Sequence, residues 1–408
     1  MEKDTLQNYA RLIAVMGANI QEGQDCVISA ELDQPEFVTI LAEECYRAGA
    51  AQVTVEWMHQ PLTKVHATYQ SEERLGRVED WEEKKLLYRR DTLPAMIYLE
   101  SADPDGLEGI DQEKWSRAKQ SRWKVIKPIR DAMEDRYQWC IAAVPGREWA
   151  CKMFPKLSGD EAIEKLWQAI LYTARTQGDA LENWREHNRD LKARCEYLNA
   201  LKLRKLHYTA SSGTDLTVGL IPGAMFLAGA DKTLGADVSF EANIPTEEVF
   251  TSPMKGEAEG IVYSTRPLSY RGVMIENFSI RFENGRVAEV RAEKNEDVLR
   301  TITTMDEGAT MLGECALVPY DSPIRNSGLT FYNTLFDENA ACHLALGTGF
   351  CNVIRDYGQL SLDDCRALGV NDSMIHEDFM IGSADLDITG ITTDGREVPL
   401  FRNGGWAF

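Results

Sequence analysis

The sequence predicts an α/β domain with an open, mostly parallel sheet over residues 1–200, followed by an α+β, mainly antiparallel domain over residues 201–408. Three observations carry that prediction. In the first half, short apolar segments alternate with charged helical stretches, the pattern of β-α-β units. From Asp160 to about Leu201 the chain reads as almost continuous helix, with Gly178 as its one break. Beyond that helix the hydrophobic period moves toward two and hairpin signals appear. A chain of 408 residues suits two or three domains, each large enough to bury a core.

Taken in order, Thr5 to Val15 is amphipathic and Cys26 to Ala30 reads as a short buried strand. A helix follows from Pro35 to Arg47, closed at Gly49, and Gln52 to Trp57 is the next strand, which completes one β-α-β unit with parallel strands. The alternation recurs at Ala95 to Leu99 and Trp139 to Val144, with charged helices over Glu82–Arg90 and Gln112–Arg136 between. After the long helical connection, His207–Ala210, Asp215–Ile221 and Phe278–Phe282 read as strands. Asn284-Gly285 is a type I′ hairpin signal leading to Val287–Arg291, and Asp394-Gly395 marks a similar turn. Helices are expected over Asn295–Met305 and Asp337–Leu346.

Composition narrows the function classes. There are 65 Asp and Glu against 44 Lys and Arg, a net charge of -21, which argues against nucleic-acid partners and suits cationic ligands, divalent metals or substrates with a free amine. The first residues lack a basic region followed by an apolar run, so no secretory leader is expected. No apolar stretch approaches the roughly 20 residues that span a bilayer, so no membrane partner is expected either. Nine scattered cysteines, with no Cys-x-x-Cys pair, read as reduced thiols of a cytoplasmic protein. No Gly-x-Gly-x-x-Gly follows the predicted strands and no Walker loop is present, so a nucleotide role is unsupported.

The second half holds four acid-rich spots beside apolar or small residues: Thr246–Thr251, Gly313–Pro319, Leu335–Leu344 and Ile375–Met380. Buried charges need partners or a metal, and a hydrolytic site with two divalent ions needs several carboxylates and a few imidazoles from scattered segments. In an extended 375–379, His376 and Asp378 share one face and Glu377 takes the other. On a continuous helix, Glu338 and His343 diverge by about 140°, so they serve one ion only if the helix starts between them, and otherwise two ions or two coordination shells. Glu314 is a lone acid in a strand-like context that needs a partner. Competing structural readings make Asp337 a helix N-cap and Glu338 a first-turn acid, leave Glu247 and Glu377 facing solvent, and treat His59, His66, His187 and His207 as surface or structural. A nucleophilic Cys342 paired with His343 is disfavoured, because adjacent helical residues point about 100° apart. Neither Gly-x-Ser-x-Gly nor His-Glu-x-x-His occurs.

The segments Asn243–Pro253, Gly313–Pro319, Phe336–Gly347 and His376–Ser383, in this order and spacing, resemble the M29 family of metallo-aminopeptidases. The resemblance implies a cytoplasmic exopeptidase acting on peptides with a free N-terminus, a homodimer, and two co-catalytic divalent ions, usually zinc or cobalt, with manganese or magnesium as alternatives. Carried over position by position, it implies Glu248, Glu314, Glu338, His343, His376 and Asp378 as metal ligands, with Glu314 also a candidate for handling the water proton. One departure stands out. Family members commonly carry a Tyr seven residues after the first ligand His, and here the position is Phe350, so an oxyanion donor is missing or supplied elsewhere, for instance by Tyr332. The alternative implied by this departure is a metal-binding, catalytically weak paralogue that captures peptides.

Overall fold

The computed structural model describes residues 1–270 and 273–408. The chain divides into two compact units, Met1–Trp184 with Ala230–Pro245, and Arg185–Gly229 with Thr246–Phe408. Residues 230–245, which a continuous division at residue 200 would assign to the second domain, pack within the first unit.

The first unit is built on a five-stranded parallel sheet, in the order Asn243–Ile244, Trp139–Ala143, Ala95–Glu100, Asp25–Glu31 and Gln52–Met58. Its central strands are buried along most of their length while the edge strand Gln52–Met58 is largely accessible, as a sheet covered on both faces requires. Pro35 opens the helix Pro35–Arg47 at its first position, where a missing N–H costs nothing. That helix buries Phe37, Val38, Leu41 and Cys45, one apolar stripe of period 3.6. Phe37 joins Tyr9 and Trp167 in a ring cluster, with centroids 5.3 to 6.4 Å apart.

The second unit carries two antiparallel sheets around one apolar cluster that includes Tyr208, Phe278, Phe282, Leu344, Leu346, Phe379 and Phe401. The larger, nine-stranded sheet includes the hairpin of Val273–Glu283 with Arg286–Lys294. Its turn has positive φ at both Asn284 (52°) and Gly285 (74°), the signature of type I′. A Cβ at Gly285 would lie 1.9 Å from the Gly256 carbonyl carbon, so only glycine fits. The smaller sheet runs in the order His376–Met380, His343–Gly347, Leu312–Leu317, Val249–Thr251 and Leu227–Ala228.

The helix expected over Asp337–Leu346 does not form. Asn333, not Asp337, caps a single turn, Thr334–Asp337, through the N–H of Leu335. A 3-10 turn, Glu338–Ala340, follows, and Ala341 is fully extended (φ -166°, ψ 170°). His343–Gly347 is then a strand paired on both sides and buried at all five residues. A short apolar run buried on both faces has no strand-like alternation to betray it, and tertiary pairing decides between helix and strand. The helix expected to reach Arg136 stops at Asp131. None of the described helices is long and apolar enough to cross a membrane.

Candidate metal centre

Strand alternation builds the site. Along the smaller sheet, Val249, Cys315, Leu317, Leu344, Leu346 and Phe379 belong to the apolar cluster. The residues between them, Glu314, His343, Ala345, His376 and Asp378, take the opposite face, with Glu248 immediately before Val249. Glu314 pairs with Ala345, which pairs with Asp378, so a small methyl separates two carboxylates across three strands.

A bulge between Leu312 and Glu314 resets the alternation, because Leu312 opposes Leu346 while Glu314 opposes Ala345. Without it, Glu314 would share the face of Leu312 and enter the apolar cluster. Gly313 permits the bulge, since a Cβ there would lie 2.2 Å from the Thr348 carbonyl oxygen.

Two sets of ligand atoms result, each with members within 4.8 Å of one another: Glu248, Glu314 and His343, and Glu314, His376 and Asp378. His343 Nε2 lies 3.2 Å from Glu248 Oε2. His376 Nε2 lies 3.1 Å from Glu314 Oε2 and 3.3 Å from Asp378 Oδ1. Each imidazole donates its other N–H to a carbonyl, His343 Nδ1 to Ala341 at 3.3 Å and His376 Nδ1 to Thr348 at 2.8 Å. That fixes the tautomer and presents Nε2 to the cluster, as metal-binding imidazoles are usually held. Glu338, buried, lies outside both sets, but Asp378 and Glu248 are its main charged neighbours.

The electrostatics are those of a site short of positive charge. Burial pushes the Glu314 carboxyl up to about 7; the His376 hydrogen bond opposes the rise, and Glu248 and Asp378 add to it. Burial, then the charges of Asp378 and Glu248, hold Glu338 well above the usual carboxylate range. Burial would lower His343, but Glu248 and the charges of Glu314 and Asp378 together outweigh it and lift the imidazole to about 10. Four carboxyls face two imidazoles, and neither Lys nor Arg figures among the main influences on Glu314 or Glu338. Asp378 Oδ1 is buried 3.3 Å from His376 Nε2, and among the described residues no donor is well aligned on it. An orphaned carboxylate oxygen in a carboxylate–imidazole cluster is the donor set a divalent cation takes, so these residues fit a metal.

The structure thus brings Glu248, Glu314, His343, His376 and Asp378 together and sets Glu338 beside them. The ring of Phe350 lies 4.9 Å from that of His376 and 5.3 Å from that of Phe250. Tyr332 is half-buried, with φ of 56°, in the loop folded round the Asp337 carboxylate. Glu247, expected in solvent, is buried 3.9 Å from His187 Nε2, because its N–H is tied to the Asn339 side chain at 2.7 Å. Glu377 is half-buried rather than exposed. Cys342 points the other way from His343: its thiol, pushed up to about 12 by burial, donates to Val318 O at 3.2 Å. Asn339 and the Gly313 bulge were missed by sequence reasoning, although both adjoin residues it singled out. A crevice beside Asp378, with room for about one water, is lined by Ser269, Asn333, Thr334, Asp337 and Met380, among others.

A family model described as thermophilic metalloprotease (M29) matches residues 2–406. The aminopeptidase AmpS of Bacillus subtilis (strain 168) is 41% identical over 405 residues, 99% of this chain and 98% of its own length. Aminopeptidase T of Thermus thermophilus is 39% identical over 406 residues, with the same shares. The solved structure of wild-type AmpT from Thermus thermophilus matches with a TM-score of 0.90 at 38% identity, covering 100% of both chains. Fold and cluster together define a metal-dependent hydrolase. The chain belongs to the M29 metalloprotease family, and it is a metallo-aminopeptidase.

Proposed function

We propose that this protein removes the N-terminal residue from peptides using two divalent ions. The observation that supports this best is the pair of ligand sets that share Glu314. Glu248 and His343 would hold one ion and His376 and Asp378 the other, with Glu314 common to both sets. Glu338, outside both sets, would add a further carboxylate beside them. Bound there, the ions would supply a nucleophilic water near neutral pH and Lewis acidity toward the scissile carbonyl. The chain's own residues do the rest. Thr348 O and Ala341 O hold the imidazoles in register, and the excess of carboxylate favours a substrate end bearing an amine. Imidazole donors favour zinc or cobalt over magnesium. From the resemblance alone we also propose a cytoplasmic homodimer, which sedimentation would test.

A panel of aminoacyl p-nitroanilides, assayed before and after chelation and after zinc, cobalt or manganese addition, tests the reading. Release should depend on metal and require a free amine, with N-acetylated substrates inert. Turnover that survives complete metal removal would sink it.

A second reading, a metal-binding but weakly active paralogue, draws on Phe350, whose ring stands against His376 with no hydroxyl to offer an oxyanion. Loss of one such donor costs about 10²–10³ in turnover. If this reading holds, Phe350→Tyr should raise kcat by a large part of that factor with KM little changed. Unchanged kcat means the hydroxyl is not missed and favours the competent enzyme.

A further inference from the structure

We infer that Asn339 is a positioning residue that clamps two ligand-bearing segments together, and so sets the spacing between Glu338 and Glu248. The inference deepens the two-ion reading above and rests on it.

Asn339 is fully buried in the 3-10 turn Glu338–Ala340. Its Oδ1 accepts from the N–H of Glu247 at 2.7 Å and from Thr246 Oγ1 at 3.5 Å. Its Nδ2 donates to Leu335 O at 3.0 Å and to Glu338 Oε1 at 3.3 Å. The partners assign the amide orientation without ambiguity, because one end faces an N–H donor and the other faces only acceptors. One side chain therefore spans the turn that carries Glu338 and the turn that delivers Glu248 to the sheet.

The chemistry needs an amide here. Glu338 is pressed by the negative neighbours Asp378 and Glu248, so an N–H donor on Oε1 restrains an oxygen that would otherwise turn away. Asp at 339 would keep an acceptor for Glu247 N–H but put a second carboxylate against Glu338. Leu would match the volume and satisfy neither side. Partners that orient metal ligands typically change metal affinity or activity by about 10–100-fold when lost.

The test is metal affinity of the purified chain, measured by competition with a chromophoric chelator for zinc and for cobalt. It needs no turnover, so the clamp and the aminopeptidase reading can fail separately. Asn339→Asp and Asn339→Leu should each weaken at least one of the two metal equivalents by about 10–100-fold, and kcat should fall more than KM rises. Asn199→Ala is the control. That amide bridges Phe226 N and O at 2.7 and 3.0 Å, the same two-sided chemistry with no ligand attached. Its loss should lower the thermal midpoint and leave metal affinity unchanged. Wild-type metal affinity in folded Asn339→Asp would overturn the proposal. So would a failure of this near-isostere to fold, which would place Asn339 in folding rather than in ligand positioning.

Discussion

Two buried carboxylates one residue apart are treated in opposite ways. Asp337 accepts from the N–H groups of Phe331 (2.9 Å) and Asn333 (3.2 Å) and pairs with Arg266 at 3.2 Å. Glu338 receives a long bond from Asn339 at 3.3 Å, and its charged neighbours are acids apart from His343. Burial raises both carboxyls. The chain supplies a counter-charge for Asp337 from within, whereas on the proposed reading that of Glu338 and its cluster would come largely from a bound cation. On that reading the contrast separates a structural acid from a functional one without appeal to proximity, since the two are covalent neighbours.

The contrast breaks most severely at the carboxylate shared by both ligand sets. Glu314→Gln should abolish the second bound equivalent and lower kcat/KM by more than about 10³-fold, beyond the roughly 10–100-fold of an outer partner. Metal content by emission spectroscopy and p-nitroanilide kinetics on the same preparation check both. Asp337→Asn, by comparison, should keep full metal content. If Glu314→Gln retained two equivalents and near-normal turnover, the shared-ligand assignment would be wrong.

The structural acid should fail in a different observable. Arg266→Met leaves Asp337 buried without its cation, a change that costs about 3 kcal/mol for a pair so enclosed. Denaturant unfolding of the metal-free chain should register that loss. Asp337→Asn added to Arg266→Met should restore part of it, since the orphaned charge is gone but one end of the amide then faces a backbone N–H that the carboxylate accepted. Equal stability of the single and double variants would mean the pair is not the stabilising element.

How far the sequence could be read follows the same divide. The parallel unit was legible because each β-α-β element announces itself: apolar strand, capped helix, apolar strand, with Pro35 and Gly49 bounding a helix over Pro35–Arg47 as expected. The type I′ turn at Asn284-Gly285 was equally local. The strand His343–Gly347 was not, because a sequence buried on both faces loses the alternation that marks a strand, and its pairing partners lie about thirty residues away on either side. Glu247 was misjudged for a related reason. Its burial comes from Asn339, ninety-two positions distant, a contact no local pattern reports. The candidate ligands were found as acid-rich spots, but it was the family resemblance that gathered them into one set; their geometric relation depends on a bulge at Gly313 that shifts which face Glu314 takes.

The smallest expected effect concerns the other adjacent pair, Cys342 and His343. As strand neighbours they point to opposite faces, the imidazole toward Glu248 and the thiol toward Val318. A thiol buried in apolar surroundings and held near 12 is a poor nucleophile at neutral pH. Cys342→Ala should therefore cost only about 1–2 kcal/mol of stability and leave kcat/KM within about twofold, under ~0.5 kcal/mol of transition-state energy. Thiol alkylation of the native protein should likewise spare activity while Cys342 stays unmodified by mass spectrometry. A loss of activity that tracked modification of Cys342, or a large drop in kcat in the alanine variant, would move the chemistry from the carboxylate–imidazole face to the opposite one. The alternation of the sheet argues against that, because it would require Cys342 to leave the apolar cluster that holds Leu344 and Leu346 in place.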